Sequence, residues 1–312
     1  MMQVWAWTVD GTGCMLDLAK PIGVGQMHRS SLAIGFALLS AAACAPDSSS
    51  RLVAPSSPSK ITNGSFDAAN TYANVGAFIV KRTSDGQVFP VCSGTLIAPT
   101  VFLTAGHCTA FVATLPQSDF SAGVSFGNPI AWGSKTDPQA KVIAAISVIT
   151  NPELNQRQSD PADLGVLIVS SNDTQGIAAA TLPTAGLLDQ LKDGHALKNA
   201  VFTAVGYGEQ GRLVGGGPPV FLDQNPEPRL FAFSSFNALD PGYLRLSQNP
   251  STGSGGTCFG DSGGPNFVQI GGSLVLAATT VTGDPNCRAT NVDYRLDTQT
   301  ARRFLGQFVT LP

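Results

Sequence analysis

The sequence predicts an all-β protein that ends in one short helix. Runs rich in Val, Ile, Thr and Phe recur along the chain, separated by Gly, Asn, Asp and Pro, which favour turns. The 312 residues include 34 Gly and 21 Pro. Helical spacing of apolar residues appears only near the C-terminus. We therefore expect many short strands and a single amphipathic helix.

The predicted elements can be placed along the chain after residue 60. The clearest strand segments are 75–80, 142–149, 164–169, 201–205 and 274–281. The stretch 211–228, rich in Gly and Pro, is predicted to be a long surface loop. In the helix predicted over 298–309, Ala301, Phe304, Leu305 and Phe308 form the apolar face.

Composition excludes some classes of function. Charged residues make up 12% of the chain and the net charge is −3, against a usual charged fraction of about 25%. Because no basic patch stands out, nucleic acid is not an expected partner. The length allows two domains of ordinary size.

The first 60 residues are interpreted as targeting and processing segments. Met27, His28 and Arg29 precede an apolar stretch at 32–39, which is typical of a signal peptide. This stretch is shorter than the roughly 20 apolar residues that span a bilayer. We therefore expect residues 1–44 to be an upstream segment plus a signal peptide that starts at Met27.

Two alternatives exist for Cys44, which follows three alanines. It is either a lipid-attachment cysteine, which would tether the protein to a membrane, or a cysteine near an ordinary signal-peptidase site. Residues 45–60 are rich in Ser and Pro and poor in apolar residues, so they are predicted to be a disordered tether or propeptide. In every case the product is expected to be exported, and either secreted or anchored to the cell envelope.

Three short segments carry the residue types of a nucleophilic hydrolase. Ser262 lies among glycines in the segment 260–265, His107 lies in 103–108, and Asp163 precedes an apolar run. Serine needs a base to take its proton, and in the order His, Asp, Ser these residues match the serine-protease template. In that template the serine attacks the substrate carbonyl, the histidine acts as general base and then as general acid, and the aspartate orients the imidazole. Asp160 is an alternative orienting acid, but Asp163 is preferred because the strand begins directly after it.

With further segments at 61–64, 92–97 and 206–208, the chain resembles the trypsin/chymotrypsin family in its bacterial secreted branch. The resemblance runs from Ile61 to the C-terminus. It implies two antiparallel Greek-key β-barrels, at 61–175 and 176–312, with the active site between them. It also implies peptide-bond hydrolysis through an acyl-enzyme, with no metal or organic cofactor and with the N–H groups of Gly260 and Ser262 as the oxyanion hole.

The resemblance implies two disulfides and an activation step. The pairs would be Cys92–Cys108 and Cys258–Cys287, although the sequence alone allows three connectivities for four cysteines. A zinc site is not expected, because the spacing of these cysteines does not suit one. Cleavage before Ile61 by an activating protease would free an ammonium group that pairs with Asp261. Alternatively, Lys60 only ends the tether and the enzyme is ordered without cleavage.

The expected specificity pocket lacks the acid that a trypsin-like enzyme carries six residues before its serine. Gly256 stands there, and a pocket lined by Gly256, Thr257 and Gly283 looks open and uncharged. This favours an apolar or aromatic P1 residue, the substrate residue before the cut bond. Asp293 offers an alternative, because a shift of one residue in strand register would turn it into the pocket and favour a basic P1.

Two other functions are compatible with the same motifs. The triad could serve an esterase-like serine hydrolase, or the fold could be a catalytically silent binding protein. The complete set of His107, Asp163 and Ser262 argues against a silent protein. His195 is expected to be a solvated loop residue, and the expected substrate is a protein or peptide.

Overall fold

The computed structural model describes residues 61–131, 141–155, 159–213, 219–222 and 225–312. The predicted signal peptide, Cys44 and the segment 45–60 lie outside the described residues. The described part contains sixteen β-strands and three α-helices. The early strands are β1 (Ser65–Phe66), β2 (Val75–Arg82), β3 (Val88–Ala98), β4 (Val101–Thr104), β5 (Phe120–Ser125), β6 (Ile143–Ala144), β7 (Ser147–Thr150) and β8 (Gly165–Ile168). The later strands are β9 (Val201–Gly206), β10 (Gln210–Leu213), β11 (Pro219–Leu222), β12 (Leu230–Leu239), β13 (Tyr243–Ser247), β14 (Pro265–Ile270), β15 (Ser273–Gly283) and β16 (Thr290–Arg295). The helices are α1 (Gly106–Ala113), α2 (Leu187–Asp193) and α3 (Gln299–Leu305).

Strands β2 to β8 form the first barrel, in the order β6-β5-β2-β3-β4-β8-β7 with antiparallel pairing throughout. The edge strands β6 and β7 are separated only by Ala145 and Ile146. The Ala145 N–H donates to the carbonyl of Ala122 at 2.9 Å, and the Ile146 N–H to that of Ile168 at 2.7 Å. The chain therefore joins the two edges and curls the sheet.

The second barrel is a closed ring of six strands. Its order is β12-β13-β16-β15-β14-β9, and β9 pairs back with β12. The first strand of the described chain, β1, adds to β12 and so lies on the second barrel. Closure removes the free sheet edges in this ring.

The predicted all-β fold with two barrels is confirmed, with differences in detail. The segment 142–149 divides into two strands, β6 and β7, and the loop expected at 211–228 contains the hairpin β10–β11. The C-terminal helix α3 is shorter than expected and is capped by Thr298, whose hydroxyl accepts from the Ala301 N–H. Helices α1 and α2 were not predicted, because seven or eight residues are too few to show a helical period. Within the described residues, no helix is long and apolar enough to cross a bilayer.

One apolar cluster contains side chains from both barrels. Leu103 and Val166 of the first barrel share it with Val205, Phe267 and Leu276 of the second. Helix α3 contributes to the same cluster through a separate set of buried residues, which are Ala301, Phe304 and Leu305. Shared burial of this kind fixes one barrel against the other, so groups at their junction are held at defined positions.

Candidate active site

The pairing of β4 with β8 brings His107 and Asp163 together. Thr104 at the end of β4 faces Gly165 at the start of β8, so the residues beyond these two ends are neighbours. His107 lies in the first turn of α1. A Cβ on Gly106 would lie only 2.8 Å from the carbonyl oxygen of Leu164, so glycine is needed for this close approach.

Two hydrogen bonds join His107 to Asp163. The backbone N–H of His107 donates to Oδ1 at 2.8 Å, and the ring Nδ1 lies 2.9 Å from Oδ2. Because an ionised carboxylate only accepts, Nδ1 carries the proton and Nε2 keeps its lone pair. Asp160 instead accepts from the hydroxyl of Tyr294 at 2.6 Å. The geometry therefore favours Asp163 over Asp160 as the partner of the imidazole.

The backbone of Ser262 lies against the segment that carries His107. Its carbonyl accepts from the Ser93 N–H at 2.9 Å and lies 3.9 Å from Sγ of Cys108. A Cβ on the next residue, Gly263, would lie 2.7 Å from the Ala105 nitrogen. The three residues of the predicted triad thus come from distant parts of the chain to one junction between the barrels.

Both expected disulfides, Cys92–Cys108 and Cys258–Cys287, are present. The first ties β3 to α1 beside His107. The second ties the loop of residues 258–264, which carries Ser262 and is called the serine loop below, to the segment after β15. Ligand atoms of Cys92, His107 and Cys108 lie within 4.8 Å of one another. Two of these atoms are disulfide sulfurs, which are not thiolates and so do not serve as metal ligands.

The loop that carries Ser262 leaves a backbone N–H at Gly260 without an acceptor among the described residues. The carbonyl of Phe259 accepts from the Glu209 N–H at 2.6 Å, and a trans peptide points the Gly260 N–H in the opposite direction. Gly260 has φ +90°, a conformation that favours glycine. Among the described residues, neither the Gly260 nor the Ser262 N–H has an acceptor. Two such donors are suited to bind an oxyanion.

The predicted activation residues both belong to the second barrel. The buried carboxylate of Asp261 accepts from the N–H groups of Gly208 at 2.8 Å and Cys258 at 2.9 Å. Ile61 is buried in a cluster with Leu230 and Ala232. Pairing between Ile61 and Asp261 after cleavage stays a prediction.

Sequence reasoning missed Ser93, a fully buried residue of β3. Its hydroxyl donates to the carbonyl of Gly260 at 3.1 Å and accepts from the Tyr207 N–H at 3.0 Å. The hydroxyl therefore links the first barrel to the serine loop. Only its place in the 92–97 segment could have drawn attention to it.

The residues that were expected to line the specificity pocket, Gly256, Thr257 and Gly283, differ in their surroundings. A Cβ on Gly256 would collide with Oε1 of Gln248, so the Gln248 amide occupies the space of a side chain at that position. Thr257 donates its hydroxyl proton to Oδ1 of Asn291 at 2.6 Å. Gly256 and Thr257 are buried, whereas Gly283 is exposed. Polar side chains therefore fill space that had been expected to be open.

Asp293, the alternative acid for the pocket, lies among polar side chains of the second barrel. Its carboxyl is fully buried, Oδ1 accepts from Asn266 at 2.7 Å, and Oδ2 has no partner within the described part of the chain. Burial raises the pKa of Asp293 well above its usual value, and hydrogen bonds from its neighbours offset this only in part. The environment therefore favours the neutral acid.

A cleft of about 310 Å³ opens beside Gly260. The first barrel lines it with Phe89 and Cys92, and the second with Gly208 and Phe259. A larger cavity, of about 1010 Å³, lies elsewhere, between α2 and α3, and Arg295 is part of its lining. Of these two cavities, the cleft at Gly260 is therefore the one that adjoins the loop of Ser262.

Comparison with known proteins gives one family. A sequence model of the family described as Trypsin matches residues 64–226, just over half of the 312 residues. The matched region contains His107 and Asp163 and ends before Ser262. A search of curated proteins found no match to the chain.

Proposed function

Because the chain belongs to the trypsin family, we propose that it is a serine endopeptidase in which Ser262 is the nucleophile, His107 the general base and acid, and Asp163 the group that orients the imidazole. The observation that carries the proposal is the pair of hydrogen bonds from His107 to Asp163. This pair lies at the junction where the Ser262 loop packs against the first barrel. Serine proteases use the same arrangement of groups.

In the proposed reaction, Oγ of Ser262 attacks the peptide carbonyl while Nε2 of His107 takes the hydroxyl proton. The carbonyl oxygen becomes an oxyanion that receives hydrogen bonds from the Gly260 and Ser262 N–H groups. As the C–N bond breaks, the imidazolium, stabilised by Asp163, donates its proton to the leaving amine and leaves an ester of Ser262. Water then attacks this ester while His107 takes a proton from it. When the ester bond breaks, His107 returns a proton to Oγ of Ser262 and the product acid is released.

We further propose that cleavage of the Lys60–Ile61 bond activates the enzyme. The segment after this bond already lies on the second barrel, because the Thr62 carbonyl accepts from the Gly256 N–H at 3.0 Å. The buried carboxylate of Asp261 holds the loop that carries Gly260. An ammonium group on Ile61 would bring an opposite charge to the Asp261 carboxylate. The two disulfides fit an extracellular protein, and secretion or lipid anchoring at Cys44 stays a prediction.

A fluorophosphonate probe tests the proposed nucleophile. The purified full-length chain, with and without cleavage before Ile61, is treated with the probe, and Ser262→Ala is compared with Ser118→Ala, a change at an exposed serine. We expect labelling of the cleaved protein and of Ser118→Ala, and none of Ser262→Ala. Absence of labelling in the cleaved wild-type protein would indicate a catalytically silent protein. Hydrolysis of esters without any cleavage in a peptide library would indicate an esterase.

A further inference from the structure

The walls of the specificity pocket are connected by a hydrogen bond. One wall contains Gly256 and Thr257, which precede Ser262 closely in the chain, and the other ends at Gly283. In the pairing of β15 with β16, Gly283 faces Asn291. The side chain of Asn291 reaches the first wall, since its Oδ1 lies 2.6 Å from the Thr257 hydroxyl. This hydrogen bond therefore joins the two chain segments that the family resemblance assigns to the walls of the pocket.

Asn291 is held in this position from both ends of its amide. Its side chain is fully buried, and Nδ2 donates to Oδ1 of Asn266 at 3.3 Å. Asn266 in turn donates to Thr280 at 3.0 Å and to Asp293 at 2.7 Å. If Asn291 moved aside, it would break two hydrogen bonds and leave buried polar groups without partners, which is costly.

A second buried amide, that of Gln248, lies against Gly256, the residue expected at the base of the pocket. Gln248 is fully buried, and its Nε2 donates to Oδ1 of Asp284 at 3.1 Å. The same Asp284 oxygen accepts from backbone N–H groups, including those of Ala289 at 2.7 Å and Thr290 at 2.9 Å. These hydrogen bonds outweigh the effect of burial and lower the pKa of Asp284. Its carboxylate therefore accepts a hydrogen bond from the NH₂ group of Gln248. This orientation of the amide directs Oε1 of Gln248 toward Gly256.

We propose that Asn291, supported by Gln248, closes the depth of the pocket, so that the enzyme cleaves after a small P1 side chain such as Ala, Ser or Gly. The proposal rests on the proposed peptidase function and specifies its substrates. A Phe or Leu side chain would have to displace the bond between Thr257 and Asn291. A Lys or Arg side chain would lose water against neutral amides without gaining a direct ion pair. A small side chain needs neither change.

The test is a series of peptides that differ only at P1, carrying Gly, Ala, Ser, Val, Leu, Phe or Lys. Values of kcat/KM are measured with the purified full-length chain after cleavage before Ile61 and are normalised to the fraction that the fluorophosphonate labels. We expect Ala or Ser to exceed Phe, Leu and Lys by roughly tenfold or more, the scale of discrimination by size in a pocket. Equal rates across the series, or preference for Phe, Leu or Lys, would overturn the proposal. Failure to label Ser262 would instead contradict the proposed function.

Variants identify the residue that sets the depth. In Asn291→Ala, the ratio of kcat/KM for Phe to that for Ala should rise roughly tenfold or more, because the change makes room for a larger side chain. Asn151→Ala is the matched control, a buried asparagine of the first barrel, and should leave the ratio unchanged. If Asn291→Ala does not fold, Thr257→Val keeps the size of the wall, removes the bond to Asn291 and should raise the same ratio. A labelled, folded variant whose ratio equals that of the wild type overturns the role of Asn291.

Discussion

At the scale of single residues, the two oxygens of Asp163 have different tasks. Oδ1 accepts the backbone N–H of His107, and Oδ2 accepts the ring Nδ1–H. The first bond fixes where the carboxylate sits, and the second fixes which ring nitrogen carries the proton. Both are needed if Nε2 is to act as a base.

Changing Asp163 to Asn tests this assignment. The backbone N–H of His107 would take the amide oxygen and leave the NH₂ group facing Nδ1, which would then have to accept. The proton would move to Nε2, and the ring could no longer take a proton from Ser262. We expect kcat to fall by about 10⁴, the effect of the equivalent change in the serine-protease template, with KM little changed.

The measurement is steady-state kinetics on a peptide substrate at neutral pH. Asp160→Asn is the control, since Asp160 bonds to Tyr294 and not to the imidazole. Its kcat should stay within about tenfold of the wild type. If kcat of Asp163→Asn falls by less than tenfold, the proposed role of Asp163 is contradicted.

The raised pKa of Asp293 makes the stability of the folded protein depend on pH. Because burial raises its pKa in the folded protein, the folded state keeps a proton that the unfolded state releases above about pH 4. Its contribution to stability is therefore fully present below that pH and is lost as the pH rises toward the folded pKa. Asn at position 293 has no proton to lose. Within this window we therefore expect the free energy of unfolding of Asp293→Asn to rise relative to that of the wild type by about 1.4 kcal/mol per pH unit.

Urea unfolding between pH 5 and 8 measures the difference, with both proteins carrying Ser262→Ala to prevent self-digestion. The free energy of unfolding of the wild type should fall relative to that of Asp293→Asn as the pH rises. A constant difference across this range would show that Asp293 is ionised in the folded state.

At the scale of elements, the strand β3 supports the serine loop of the other barrel. Ser93 of β3 uses its N–H to hold Ser262 and its hydroxyl to hold the carbonyl of Gly260. A side chain of one barrel thus holds the residue in the other barrel whose N–H is proposed as an oxyanion donor.

Ser93→Ala removes the hydroxyl and keeps the backbone bond. We expect kcat to fall about threefold to tenfold with KM unchanged, because a hydrogen bond of about 0.5–1.5 kcal/mol no longer holds the carbonyl of Gly260, the residue whose N–H is a proposed oxyanion donor. Thr174→Val is the control, since this buried hydroxyl also donates to a carbonyl, that of Pro99 at 2.6 Å, away from the site. Equal loss of kcat in both variants would mean that the effect is general loosening of the fold.

The sequence predicted those elements and site residues whose signals are local. His107, Asp163 and Ser262 each lie in a short, readable segment, and the longer strands show their pattern within a few residues. The filling of the pocket was not predicted, because the contact of Asn291 with Thr257 depends on the register of β15 and β16. That register shifts between Thr280 and Thr282, and no local pattern reveals such an irregularity. Helix α1 was not predicted because its eight residues are too few to show a helical repeat of apolar positions.

At the scale of the whole molecule, the candidate site lies where the two barrels meet. His107 and Asp163 belong to the first barrel and Ser262 to the second, and the shared apolar cluster holds the two together. The chain before β2 adds to this, because β1 pairs with β12 of the second barrel. The start of the described chain is therefore held on the barrel that carries Ser262.

The proposed small P1 preference and the proposed activation cut constrain each other. Lys60 precedes the bond that would be cut, and a pocket closed by Asn291 would not accept its side chain. The pure precursor should therefore stay intact and inactive on incubation, and a separate protease that cleaves after lysine should activate it. Lys60→Gln should resist that protease and remain a folded, inactive precursor.

Lys60→Ala reverses the expectation, because it places a small residue before the same bond. A trace of active enzyme should then convert this precursor, with a lag followed by accelerating product formation, while the wild-type precursor under the same conditions stays uncut. N-terminal sequencing of the product should begin at Ile61, and fluorophosphonate labelling of Ser262 should rise in parallel with cleavage. Self-conversion of the wild-type precursor would show that the pocket admits lysine, and full activity of uncut Lys60→Gln would show that the Asp261 network orders the serine loop without a new N-terminus.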